Sequence, residues 1–94
     1  MKAISFEWDA LKQKANSTKH GISFEEAKTV FSNPHARIIH DPDHSSEEDR
    51  FILLGMSQKM NILVICHCYK QTDEIIRIIS ARKASKIESK YYGG

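Results

Sequence analysis

His67 interrupts the apolar run Asn61 to Tyr69, where strand alternation sets it beside Leu63, Ile65 and Tyr69 on one face. An imidazole titrates near neutrality and can carry a proton in a cleft, but on a buried face it must find a partner. A core histidine bonded to a backbone carbonyl accounts for it equally well. Arg77 breaks the isoleucine run of Glu74 to Ser80 and shares a face with Ile75 and Ile79. Its charge is permanent, so it either pairs with an acid such as Glu74 or Glu88 or faces a cleft where its planar fork binds phosphate. Arg82 and Lys83 follow at an expected strand-to-helix junction, where free backbone N–H groups add partial positive charge. Three cations would then converge near one helix start, although a solvated basic face is the commoner reason for such a cluster. Arg50, opening another strand, joins them across the sheet if the register allows.

Other chemistries find less support. His40-Asp41-Pro42-Asp43-His44 mixes carboxylates and imidazoles but lacks the glycine and closing glutamate of a calcium loop, so a solvated acidic hairpin loop is the better reading. There is no HExxH or CxxC pattern, no nucleophile elbow and no phosphate-cradling glycine loop. Cys66 and Cys68 lie on one face of a strand with His67 pointing away from both, which makes a poor zinc site and a poor disulfide; buried, reduced thiols are expected.

The elements that must position these residues follow from local signals. Ile4 to Trp8 reads as a short strand with Phe6 and Trp8 on one face. Asp9 caps a helix running through Leu11 and Ala15 to His20, which Gly21 closes. Ser23 with Glu26 forms a capping box for a second helix that carries Phe24, Ala27, Val30 and Phe31 and stops before Pro34. Four strands follow at Arg37 to His40, Arg50 to Met56, Asn61 to Tyr69 and Glu74 to Ser80, with short polar separators that imply antiparallel hairpins. Asn61 to Tyr69 is apolar enough to be a central strand covered on both faces. Ser80 is placed to cap a last helix, Ala81 to Tyr92, with Ala84, Ile87 and Tyr91 as its apolar stripe, and residues 93–94 read as a frayed tail. The expected fold is α+β, with helices on one face of an antiparallel sheet.

A chain of 94 residues that is 40% hydrophobic and 28% charged suits one compact domain over residues 1–94. No membrane span is present, and Met1 to Phe6 lacks the layout of a signal peptide, so a cytoplasmic protein is expected. Net charge is only +2, but Asp41, Asp43, Glu47, Glu48 and Asp49 cluster without a cation, whereas Arg77, Arg82, Lys83, Lys86 and Lys90 are opposed by Glu88 alone. A polyanion would prefer the C-terminal end.

Taken together, Phe6-Glu7-Trp8-Asp9, Lys19-His20-Gly21-Ile22-Ser23-Phe24-Glu25-Glu26-Ala27, Asp41-Pro42-Asp43-His44 and Glu48-Asp49-Arg50-Phe51 resemble consecutive signatures of the BrnT toxin family. Gly55, His67, Arg77-Ile78-Ile79-Ser80-Ala81-Arg82-Lys83-Ala84, Glu88 and Tyr92 continue the resemblance, which spans nearly the whole chain in order and spacing. It implies a RelE-like fold and a ribonuclease toxin that inhibits translation and growth, using the RNA's own 2′-hydroxyl, with no metal and no cofactor. It also implies a BrnA-like antitoxin partner, with operator DNA reached only through that partner. Within this resemblance Arg77 and Arg82 are assigned to the phosphate, His67 to proton transfer, Arg50 to a supporting contact, and Lys83, Lys86 and Lys90 to RNA backbone. Cys66 and Cys68 depart from the aliphatic or small residues usual beside the histidine. A non-catalytic module gripping nucleic acid or an acidic partner is the second reading; modest charge and few aromatics weigh against a dedicated RNA binder.

Overall fold

The computed structural model describes residues 4–40, 50–70 and 74–93. Its elements run β1 (Ser5–Glu7), α1 (Ala10–His20), α2 (Phe24–Val30), β2 (Arg37–His40), β3 (Phe51–Met56), β4 (Ile62–Lys70), β5 (Ile75–Lys83) and α3 (Lys86–Ser89). The acidic segment at 41–49 and all of the candidate metal motif His40-Asp41-Pro42-Asp43-His44 after His40 lie outside the described residues. One five-stranded sheet has the order β1-β5-β4-β3-β2, which puts the apolar β4 at its centre. β2, β3, β4 and β5 pair antiparallel as consecutive strands do; β1 instead joins β5 in parallel, because the whole intervening chain forms the crossover.

Local chemistry sets most boundaries. The Asp9 carboxylate accepts from the N–H groups of Leu11 and Lys12 at 2.8 and 3.1 Å, and Gly21 ends α1 at φ 71°, a left-handed conformation that glycine adopts without strain. Ser23 caps α2 by accepting from Glu26 N–H at 3.0 Å. The expected capping box is only half made: the Glu26 carboxylate turns away to accept from Ser57 Oγ at 2.7 Å and Asn61 Nδ2 at 2.8 Å. It thereby ties α2 to the β3–β4 turn. Burial opposes its ionisation, but the two hydrogen bonds outweigh that and hold its pKa below the usual value.

α1 and α2 cover one face of the sheet. Ile22, Phe24, Ala27, Val30, Leu53, Leu63, Ile65, Ile76, Ile78 and Ala81 make the core there, with Phe6 and Trp8 packed against it. α1 contributes little apolar surface, and Leu11 is exposed. Its buried Asn16 holds it instead, donating to Ala81 O at 2.8 Å and Ile22 O at 3.0 Å and accepting from Ala81 N–H at 3.1 Å. This amide satisfies the edge of β5 beyond the reach of short β1. Gly55 permits α2 and β2 to close on β3, since a Cβ there would stand 2.8 Å from both Ala36 Cβ and Val30 Cγ1.

The C-terminal end differs from its sequence-based expectation. Ser80 does not start a helix: β5 continues to Lys83 because β4 offers Leu63, Val64 and Ile65 as ladder partners. α3 is short, and Ser85 and Glu88 close a reciprocal capping box on it. Its Glu88 reaches Arg82 on the face opposite α1 and α2, while Ile87 and Tyr91 are exposed rather than forming a core stripe. Tyr92 Oη donates to Asn33 Oδ1 at 3.1 Å, and a Cβ added at Gly93 would stand 2.8 Å from Arg37 Nη2.

Candidate active site

Arg77 and Arg82 are five positions apart, which in a regular strand would put them on opposite faces. The β4–β5 register slips by one residue between Cys66 and His67, pairing Cys66 with Ser80 but His67 with Ile78, so that Ile79 has no opposite residue. This irregularity brings both arginines to the face away from α1 and α2, where Arg77 stands opposite Cys68 and Arg82 opposite Val64. Their Cα atoms are about 13 Å apart along the strand.

Each arginine is held by a carboxylate. Arg77 Nη1 donates to Glu7 Oε2 at 2.6 Å across the parallel β1–β5 pair, so its partner is neither Glu74 nor Glu88. Arg82 meets Glu88 as a two-bond fork, Nη1 to Oε1 at 2.7 Å and Nη2 to Oε2 at 2.8 Å. These bonds raise both guanidinium pKa values above the ordinary one. The Arg82 fork, aided by Ser85 N–H, lowers Glu88 to about 2. Both pairs remain partly open to solvent, so an anionic ligand can compete for either guanidinium.

The other expected residues are dispersed. His67 alternates with Cys68 on β4 and therefore faces the helix side, completely buried. Phe31, Phe51 and Tyr69 surround its ring at centroid distances of 4.9, 6.1 and 5.3 Å. Its Nδ1 lies 3.4 Å from Ile65 O and its Nε2 3.3 Å from Tyr69 Oη. A carbonyl only accepts, so a neutral ring protonated on Nδ1 and accepting at Nε2 satisfies both contacts. Burial pushes its pKa down, against the smaller upward pull of the Ile65 bond. The structure thus does not bring His67 to the arginines, and its setting is that of a core histidine. Lys83 is exposed and, next to Arg82 on β5, points to the helix side. Lys86 and Lys90 are exposed at the two ends of α3, and Arg50 is half-buried just before Phe51, at the Arg77 end of the sheet. Neither cysteine is in a disulfide, and both are buried.

The arginine face also holds residues that local patterns did not single out. Arg37, Leu54, Val64 and Arg82 form one cross-strand row. A groove of about 360 Å³ lies over its Arg37, Leu54 and Val64 part, lined also by Ile39, Ile52, Tyr91 and Glu88, the carboxylate that holds Arg82 just outside it. Glu7 was signalled by the alternation Phe6-Glu7-Trp8, which sends the acid away from the core; Arg37 and Tyr91 emerge only once strand order is known. A larger cavity of about 510 Å³ beside α2 and the β3–β4 turn contains none of the expected site residues. Among the described residues no group of three or more His, Cys, Asp or Glu is placed to hold a metal ion, and no helix is long and apolar enough to cross a membrane.

A family model described as the ribonuclease toxin BrnT of a type II toxin–antitoxin system matches residues 8–88. The chain is also similar to the Brucella abortus ribonuclease toxin BrnT, known from a 1.1 Å crystal structure, with a TM-score of 0.63 and 25% identity over 92% of this chain and 99% of that one. No curated protein matches it. The matched span takes in the shared α+β architecture, both arginines of the slipped strand and the carboxylate that grips Arg82, and with that agreement the chain belongs to the BrnT family of ribonuclease toxins of type II toxin–antitoxin systems.

Proposed function

We propose that this chain cleaves RNA on the sheet face that carries Arg77 and Arg82, by a RelE-like, metal-independent reaction in which the RNA's 2′-hydroxyl attacks the adjacent phosphate. The observation that supports this is the register slip that gathers two guanidiniums on an open face, each beside a carboxylate. In the reaction the 2′-oxygen bonds to phosphorus, the bond to the 5′-oxygen breaks, one proton leaves the 2′-hydroxyl and another reaches the departing oxygen. Arg77 and Arg82 orient the phosphate and neutralise the charge that builds on it. Glu7, already bonded to Arg77, is the acceptor best placed beside a phosphate held there. His67 takes a structural role, packing the aromatic cluster behind β4. Arg50 supports the Arg77 end, and Lys86 and Lys90, with Lys83 from the other side, meet RNA backbone. A BrnA-like antitoxin neutralises the enzyme in the cytoplasm by covering this face, and operator DNA is reached only through it.

The test is cleavage of RNA by purified protein. Arg77→Ala and Arg82→Ala are each expected to lower the rate by about 100-fold, the usual scale for losing a transition-state charge contact. Products should carry a 2′,3′-cyclic phosphate and a 5′-hydroxyl, with or without a chelator. Dependence on magnesium, or an Arg82→Ala protein that is folded and fully active, would overturn the proposed site. Binding of RNA without any cleavage would favour the non-catalytic module, a reading to which the resting carboxylate partners of both arginines also lend weight.

A further inference from the structure

The ribonuclease reading places a phosphate at Arg82, and the groove beside it has features that folding alone does not account for. Arginines stand at both ends of the row Arg37, Leu54, Val64, Arg82, with Cα atoms about 14 Å apart at a strand spacing of about 4.8 Å. Arg82 has a carboxylate partner, whereas the exposed Arg37 makes no hydrogen bond or ion pair among the described residues. Its guanidinium rests against Gly93, where a Cβ would come within 2.8 Å of Nη2. Tyr91 is 67% exposed at the rim, and Ile39 is 59% exposed in the floor. A tyrosine side chain, an apolar floor and a guanidinium with no partner among the described residues thus border one cleft, and Glu88 on that cleft holds Arg82, the proposed phosphate ligand, just beyond it.

We infer that this groove is a base subsite for the RNA substrate, in which a guanine stacks on Tyr91 over Ile39 and Leu54 while Arg37 donates to its O6 and N7. Stacking on an aromatic ring accepts any base, so Tyr91 supplies binding without choice. Choice comes from Arg37, because guanine offers two adjacent acceptors that match a planar pair of N–H donors, while adenine and cytosine present a donor at the corresponding edge. At about 360 Å³ the groove falls at the small end of ligand sites, in keeping with a single nucleotide. The inference rests on the ribonuclease reading above, and its test separates the two.

Four oligoribonucleotides differing at one base are cut by wild-type protein, Arg37→Gln and Tyr91→Ala, and binding of guanosine and cytidine monophosphate is followed by NMR on the same proteins. The two nucleotides carry the same phosphate, so their difference reports the base. Wild type is expected to favour guanine by about tenfold or more in both assays. Arg37→Gln should bring the preference within about threefold, and Tyr91→Ala should weaken all bases by about tenfold, with Tyr91→Phe restoring them. Both side chains are exposed, so melting temperatures should stay near that of wild type. Efficient cleavage with no guanine preference, unaffected by either substitution, would sink the base subsite and leave the ribonuclease reading intact. Arg37-dependent guanosine monophosphate binding by a protein that cuts no RNA would do the reverse. If the substitutions change only affinity for the antitoxin, the groove docks protein and the base subsite is wrong.

Discussion

At the scale of single residues, burial decides what His67 can do. Its ring is enclosed by Phe31, Phe51 and Tyr69 and satisfied at both nitrogens, so the protein gains from keeping it neutral. His67→Ala should therefore act on stability, costing about 2 to 4 kcal/mol through a cavity and lost ring contacts, readable as a lower unfolding midpoint. Where the variant remains folded, its cleavage rate should stay within about threefold of wild type; a hundredfold loss would return His67 to the catalytic set. The pH dependence has a definite sign. The folded-state pKa lies below the unfolded value, so the unfolded chain binds the proton more readily, and stability should decline as pH falls through about 6.5. Denaturant titrations at several pH values read that slope, and His67→Gln should flatten it. The sequence showed that this residue needed a partner. Whether the partner was a substrate or the core depended on which face of β4 the helices cover.

At the scale of elements, α3 is fastened more by charge than by apolar burial. None of its residues is buried, Ile87 is exposed, and Glu88 both closes the capping box and grips Arg82. Glu88 is held near 2, so its stabilising contribution is complete above the ordinary carboxylate value of about 4.5 and is lost as pH falls toward about 2. α3 should detach in that window, detectable as faster amide exchange at Ser89 and Lys90 before the sheet unfolds. Glu88→Gln should produce the same detachment near neutral pH; protection equal to wild type would show that other contacts hold the helix. Ser85 and Glu88 carry this boundary in their own spacing, and Asp9, Gly21 and Ser23 carried theirs likewise. Ser80 misled because a serine before a basic, alanine-containing segment is a good local cap signal, while the ladder to Leu63 and Val64 that keeps Ala81 to Lys83 extended is non-local.

At the scale of the whole molecule, the two sides of the sheet have different tasks. α1, α2 and the core occupy one; the arginines, the groove and short α3 occupy the other. An antitoxin that inhibits by covering the arginine side should feel Lys86 but not Lys83, which points to the helix side. Lys86→Glu should weaken the complex by about tenfold and Lys83→Glu by less than about threefold, measured by calorimetry. Equal effects would place the partner elsewhere. By itself the sequence determined the order of elements, the central position of β4, most caps and the family, because periodicity, cap chemistry and signature spacing are written in consecutive residues. Only the tertiary structure decided that Arg77 and Arg82 share a face, that His67 does not join them, and that Arg37 lies in one cross-strand row with Arg82. Those facts depend on strand order and on a one-residue slip between strands, and a slip of one residue reverses the face of everything beyond it.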